Sequence, residues 1–255
     1  MIAPGRAKRP GAVRAALDPP SAAELESCPF CAGHEAMTPP QTLVLPEEGP
    51  WRVRVVPNLY PALERQEVVV HSRRHVRSLA ELEDDELDLV AQAWQRRAAE
   101  HTGYVHALVN EGREAGSSLP HSHSQLVWLP DAPPTHTTPR GESVLEEEGL
   151  FATCPWASRL PYETVIAPSR AKGQGLADPQ LGAGLRLLAR IVRRLRQLEG
   201  PVPLNVWLEQ GERDWRLVLL PRLTVLAGLE LGAGVFVNTL PPEEAAMRLR
   251  SAEGG

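Results

Sequence analysis

Apolar positions along the chain fall into short β-branched runs and longer stretches of helical spacing, and the two kinds alternate twice. Runs at Trp51–Val56 and Val68–His71 predict strands, the second reading VVVH. Ser78 then opens a predicted helix. Glu81 completes a capping box three residues on, and Leu79, Leu82, Leu87, Val90 and Trp94 recur at helical spacing. Strands are predicted again at His106–Asn110 and Gln125–Leu129, and 131–149 (DAPPTHTTPRGESVLEEEG) reads as a loop. A similar series follows. Thr164–Ala167 is a strand, and Asp178-Pro179 reads as an N-cap with proline at the first helical position. Leu181, Leu185, Leu188, Val192, Leu195 and Leu198 line one helix face, Gly200 ends it, and strands follow at Leu204–Glu209 and Arg216–Leu220. Residues 1–27, rich in Pro, Ala and Arg, predict an extended arm.

The two series resemble each other in sequence. EVVVHSRRH (67–75) matches ETVIAPSRA (163–171), HALVNEG (106–112) matches NVWLEQG (205–211), and QLVWLP (125–130) matches RLVLLP (216–221). The chain therefore reads as a duplicated α+β unit, antiparallel sheets with packed helices. An N-terminal domain spans 1–140 and a C-terminal degenerate repeat spans 141–255. The copies differ at one place. Gly112 and Pro130 lie 18 positions apart, while Gly211 and Pro221 lie 10 apart, so the second copy lacks the segment that holds His121 and His123. It also has Ala171 where the first has His75.

Composition narrows the class. The chain has 255 residues, 42% hydrophobic and 23% charged, enough for a sizeable core. A net charge of −5 argues against a nucleic-acid partner. No apolar run reaches the roughly 20 residues of a membrane span, and the start MIAPGRAKRPGAV lacks the apolar core of a secretory signal. Three cysteines exclude a disulfide scaffold, which fits a cytoplasmic enzyme.

Two clusters carry candidate chemistry. Cys28-Pro29-Phe30-Cys31 is a CxxC whose thiolates could share one cation, with His34, His71, His75, His121 or His123 as partners. Two incidental cysteines in a Pro-rich loop would look the same, and the redox alternative needs a βαβ context that is not visible. In 117-SSLPHSHSQLVWLP-130, His121, His123 and Gln125 differ by two, so an extended backbone places all three on one face. An isolated HxH is more often a polar strand edge. The preceding loop, with Gly112, Gly116, Ser117 and Ser118, offers backbone N–H and hydroxyl donors suited to phosphate oxygens.

The run Asn110-x-Gly112-x-x-x-Gly116-x-Ser118-x-Pro120-His121-x-His123-x-Gln125 resembles the active-site signature of the galactose-1-phosphate uridylyltransferases, the transferase branch of the histidine-triad superfamily. PGRAKRPGA (4–12) resembles that family's N-terminal arm, CPFC its first zinc-ligand pair, VPNLYPAL (56–63) a substrate-contacting segment, and Ser72–His75 the segment of the third ligand. Residues 222–250 look like the carboxy-terminal part of a branch that includes ADP-sugar phosphorylases.

The resemblance implies roles. Cys28, Cys31, His75 and His121 would bind zinc, His123 would be the nucleophile, and Gln125 would hydrogen-bond the phosphoryl group. Ser118 would contact phosphate together with Ser117 and Gly116. Asn58 and Asn110 would contact the nucleotide, Arg6 and Arg9 the diphosphate, and Glu230 the sugar. The sequence departs from the family in four places. The arm normally includes a strand before APGRAKRP, residues 140–255 contain no counterpart of the His-rich second metal site of some members, Arg216 stands after Trp215 where relatives often have His, and Leu229 precedes Glu230 where uridylyltransferases often carry an aromatic.

The implied reaction is ping-pong nucleotidyl transfer between a nucleotide sugar and a sugar 1-phosphate or phosphate through a covalent nucleotidyl-histidine. The sequence favours a UDP-glucose–hexose-1-phosphate uridylyltransferase of galactose metabolism, in a homodimer. An ADP-sugar phosphorylase using inorganic phosphate is the alternative. A non-catalytic zinc-stabilised nucleotide-binding protein is the remote one, and it leaves His123 without a purpose.

Overall fold

The first half of the chain supplies five strands, β1 (Leu43–Leu45), β2 (Val53–Pro57), β3 (Gln66–Val70), β4 (Tyr104–Glu111) and β5 (His123–Leu129). The second half supplies β6 (Gly141–Glu147), β7 (Leu150–Pro155), β8 (Thr164–Pro168), β9 (Leu204–Gln210) and β10 (Trp215–Pro221). In this computed structural model, which describes residues 1–3, 19–134, 139–173, 175–211 and 214–252, the ten strands form one sheet in the order β1-β2-β3-β5-β4-β9-β10-β8-β7-β6. Every ladder between these strands is antiparallel. The order is the same read outward from the β4–β9 junction in either direction, so the two series of the sequence lie side by side.

The helices are α1 (Ala22–Ser27), α2 (Asp84–Ala99), α3 (Leu181–Glu199), α4 (Gly228–Ala233) and α5 (Pro242–Ser251). α3 buries Leu181, Leu185, Leu188, Ile191, Val192 and Leu195, and α2 buries Leu87, Val90 and Trp94, in one core with Val69, Val105, Ala107, Leu126, Leu217 and Leu219 of the sheet. Each such aliphatic side chain contributes roughly 1.5–3 kcal/mol on burial. Two polar links fix α2 to the sheet. The Trp94 indole N–H donates to Ser124 Oγ at 2.7 Å, and Arg97 forks onto buried Glu67 at 2.8 and 2.7 Å. Among the described residues no helix is long and apolar enough to cross a membrane.

Several boundaries differ from the sequence expectation, each for a visible reason. α2 opens at Asp84, not after Ser78, because Ser78 caps only a 3₁₀ turn over Leu79–Glu81, its Oγ accepting from the N–H of Ala80. Glu81 turns to the N–H of Arg77 and to Arg196, and the capping box belongs to Glu83 and Glu86. α3 opens at Leu181, after Pro179. The Asp178 carboxylate caps a turn instead, accepting the N–H groups of Lys172, Gly173 and Gln180. Gly200 does end the helix, at φ 75°. Within 131–149, residues 141–147 form β6, an edge strand whose outward charges hide the alternation. The arm at 1–27 contains α1, capped by Ser21, and Ala3 and Met1 pair with Asn238. The stretch with Arg6 and Arg9 lies outside the described residues.

The register also corrects the repeat. Leu108 pairs with Gln125 and with Trp207, and Trp207 pairs with Val218. With HALVNEG set on NVWLEQG, Leu108 corresponds to Trp207, so Gln125 corresponds to Val218 and His123 to Arg216. The QLVWLP–RLVLLP match, which put Gln125 on Arg216, is two residues out of step with that ladder.

Candidate active site

Strand pairing decides which side chains share a face. Val70 lies opposite His123, Val68 opposite Gln125 and Gln66 opposite Val127, so Gln66, Val68, Val70, His123 and Gln125 emerge together, away from Trp94 and α2. β4 adds His106, Leu108 and Asn110 to this face. His121 falls just before the strand, so its ring leaves the row and turns to the cysteines.

His123 is 6% exposed and packs edge-on against Phe30, with centroids 5.3 Å apart. Its Nδ1 lies 2.7 Å from the carbonyl oxygen of His121. A carbonyl only accepts, so Nδ1 carries the proton and Nε2 keeps its lone pair. Burial holds the imidazole below its ordinary pKa, which keeps the ring neutral. A neutral imidazole with an oriented second nitrogen is a competent nucleophile.

Beside it, Cys28, Cys31, His75 and His121 present ligand atoms that all lie within 4.8 Å of one another. Cys28 Sγ is 3.4 Å from His121 Nδ1, and Cys31 Sγ is 3.2 Å from His75 Nδ1 and 3.7 Å from His121 Nδ1. A tetrahedral cation with ordinary Zn–S and Zn–N bonds has S···N edges of about 3.6 Å. The outer nitrogens are committed elsewhere. Nε2 of His121 meets the Ser72 carbonyl at 2.9 Å, and Nε2 of His75 meets the Glu24 carboxylate at 2.8 Å. Both rings therefore turn an unprotonated Nδ1 toward the thiols, the arrangement of metal-bound histidines backed by an acceptor. Burial lowers the His121 pKa to about 4, and burial with the adjacent Cys28 raises the Cys31 thiol to about 12, so both groups are held uncharged, and a bound cation would favour the thiolate instead. The other candidate ligands lie elsewhere. His34 bonds the Cys28 carbonyl at 2.7 Å, and His71, fully buried, bonds Ser122 Oγ at 2.9 Å with its ring on the α2 side of the sheet.

The loop between β4 and β5 is set by glycine. Gly112 has φ +87°, and a Cβ there would lie 2.9 Å from Pro203 Cβ. Gly116 is left-handed at φ +93°. Ser117 Oγ donates to the Leu119 carbonyl at 2.7 Å, while Ser118 is exposed. Asn110 stands on β4 with Oδ1 accepting from Asn205 of β9 at 2.8 Å. Asn58 follows β2, its N–H donating to the Gln66 carbonyl and its Oδ1 accepting from the N–H of Tyr60. Glu230 lies in α4, where its carboxylate accepts the N–H of Ala227 at 3.0 Å.

Other residues of the site carried no recognisable sequence signal. Glu24 sat in a Pro- and Ala-rich arm, Gln66 belonged to no motif, and Asn205 stood only in the repeat match NVWLEQG. Arg54 is the one charged residue within β2. It is 1% exposed and holds the CPFC loop by donating to the Pro29 carbonyl at 2.8 Å and to Thr38 at 2.9 Å.

Comparison with known proteins agrees with this geometry. Residues 61–133 match the family model "Galactose-1-phosphate uridyl transferase, N-terminal domain". The chain is 27% identical to an ADP-glucose phosphorylase of Arabidopsis thaliana over 98% of its own length and 89% of the relative's. It is 25% identical to a galactose-1-phosphate uridylyltransferase of Thermotoga maritima over 89% of each. The fold is shared with the crystal structure of an ADP-glucose phosphorylase from Arabidopsis thaliana, at a TM-score of 0.84 and 24% identity over 99% of this chain and 95% of that one. The matched segment holds Gln66, His75, Asn110, His121, His123 and Gln125, and over most of its length the chain is similar to galactose-1-phosphate uridylyltransferases and to an ADP-glucose phosphorylase.

Proposed function

We propose that the protein transfers a nucleoside monophosphate from a nucleotide sugar to a phosphate acceptor through a covalent intermediate on His123. The observation that carries this is the hydrogen bond from His123 Nδ1 to the His121 carbonyl, which leaves Nε2 as an aimed nucleophile in a buried row beside an amide. Nε2 attacks the α-phosphorus, the bond to the leaving sugar 1-phosphate breaks, and the electron pair departs with that phosphate. Nδ1–H stays on the His121 carbonyl and stabilises the charge that the ring gains. An oxygen of the acceptor phosphate then attacks the same phosphorus and restores the imidazole. The leaving group needs no strong general acid, because a phosphate monoester has its second pKa near ~6. Gln125 donates to the phosphoryl oxygens but cannot take a proton from water, so hydrolysis is slow.

Asn110, the Gly116–Ser118 turn and Asn58 line the nucleotide and phosphate side of this reading. Arg6 and Arg9 serve the diphosphate and Glu230 the sugar. The Cys28, Cys31, His75 and His121 donor set suits zinc, which when bound fixes His121 and with it the start of β5. Thiols with that duty must stay reduced, which suits the cytoplasm.

For the base and acceptor we favour adenylyl transfer from an ADP-sugar to inorganic phosphate, because the likeness to the ADP-glucose phosphorylase runs over 98% of the chain. Uridylyl exchange between UDP-glucose and a hexose 1-phosphate is the second reading, supported by the family model and the Thermotoga maritima relative. Incubating the protein with ADP-glucose or UDP-glucose, each with inorganic phosphate or a hexose 1-phosphate, separates them. ADP formation from ADP-glucose and phosphate supports the first, and UDP-sugar exchange without it supports the second.

A further inference from the structure

Gln125 is useful to a phosphoryl group only if its NH₂, not its carbonyl, faces the substrate. A side-chain amide is nearly symmetric in shape, so something must choose. The choice here starts at a backbone N–H, which can only donate. The N–H of Ala62 lies 2.8 Å from the side-chain oxygen of Gln66. That contact fixes the Gln66 oxygen on the loop side and turns its NH₂ toward β5, where it donates to Oε1 of Gln125. The Gln125 oxygen is thereby occupied. Among the described residues its nitrogen has no hydrogen-bond partner and remains for a substrate oxygen.

The register makes this relay rigid. Gln66 and Gln125 share the face that carries His123, on paired strands, with Val68 directly opposite Gln125. The main chain of Gln66 is held as well, its carbonyl accepting the N–H of Asn58 at 2.9 Å. The relay thus begins in the loop 58–65, which exposes Leu59, Tyr60 and Leu63 at 61%, 84% and 41%.

We propose that Gln66 is the positioning residue that sets the donor face of Gln125 toward the transferred phosphoryl group, under the control of the Ala62 N–H. This rests on the nucleotidyl-transfer reading and deepens it. Charge develops on the phosphoryl oxygens in the transition state, so a donor already aimed there accelerates transfer and a carbonyl aimed there opposes it.

The decisive variant is Gln66→Glu, which has nearly the same shape. Its carboxylate still accepts the Ala62 N–H but can no longer donate to Gln125. Gln125 must then rotate to donate to that carboxylate and presents its carbonyl to the phosphoryl group. Gln66→Ala merely frees the amide to rotate. With radiolabelled ADP-glucose or UDP-glucose, we expect the covalent labelling rate to fall roughly 100-fold in Gln66→Glu and about tenfold in Gln66→Ala. A residue that only supports the strand would give the opposite order, with the truncation worse, and that result overturns the proposal. Side-chain amide hydrogen exchange reads the same switch without turnover. In the wild type a Gln66 amide proton is slow and those of Gln125 are fast. In Gln66→Glu a Gln125 proton becomes the slow one, and its failure to do so overturns the proposal. If neither nucleotide sugar labels the wild type, the transfer reading falls, and the exchange measurement still decides whether Gln66 sets Gln125.

Discussion

Asn205 Nδ2 lies 2.8 Å from Asn110 Oδ1 and 2.8 Å from the Ala115 carbonyl, so a residue of the histidine-free half holds the loop that precedes His121. Arg222 donates in turn to Asn205 Oδ1 at 3.0 Å, which fixes the amide's orientation. With its oxygen engaged, Asn110 has its NH₂ left for the nucleotide in the proposed reading. Asn205→Ala removes all three hydrogen bonds, worth about 1 kcal/mol each. We expect the apparent KM for the nucleotide sugar to rise roughly tenfold, with a smaller change in kcat and an unchanged far-ultraviolet circular dichroism spectrum.

The His75–Glu24 contact predicts a metal effect distinct from catalysis. Glu24 bonds His75 and also Arg77, and Arg77 with His75 holds its carboxyl below the usual range. Glu24→Ala leaves the four ligands in place but removes the acceptor behind His75. Losses of about 10–100-fold in metal affinity are typical for such a change. Chelator competition followed by metal analysis measures it.

Arg97 and Glu67 form a buried ion pair, both 4% exposed, between α2 and β3. Removing Arg97 leaves the buried Glu67 carboxylate with only the longer, 3.3 Å contact to Arg65. Arg97→Leu is therefore expected to destabilise the fold by roughly 3–5 kcal/mol. A urea titration should show the midpoint falling with little change in slope.

Glu111 gives a pH dependence. Its carboxyl accepts the N–H of Leu79 at 3.0 Å, tying the end of β4 to the 3₁₀ turn after His75, and burial pushes its pKa up to about 7. The unfolded chain ionises this group near ~4.3, so its contribution is fully present below that pH and is lost as pH rises through about 7. Glu111→Gln removes the titration. The stability difference should move in the variant's favour between about pH 4.5 and 7.5, by at most about 4 kcal/mol. Thermal unfolding at a series of pH values checks the direction.

Local pattern revealed the elements with strong periodicity and the residues with chemical identity. Leu181–Leu198 was legible as a helix because its apolar stripe faces one core, and CPFC with HSHSQ was legible because thiols and spaced imidazoles are uncommon. What was hidden depends on long-range pairing. β6 is masked by its outward glutamates. The true start of α2 depends on whether Glu81 or Glu86 completes a capping box, and Arg77 and Arg196 decide that by engaging Glu81. Glu24, Gln66 and Asn205 act on partners 51, 59 and 95 positions away, and nothing in their own neighbourhoods marks them.

The central claim is that His123 makes the covalent bond while His121 holds the metal. Covalent labelling by a radiolabelled nucleotide sugar, measured beside metal content in His123→Ala and His121→Ala, tests it most directly. The structure predicts that His123→Ala takes no label and keeps about one metal per chain, while His121→Ala loses metal. A His123→Ala protein that still labels, or that loses metal while His121→Ala retains it, would contradict the assignment.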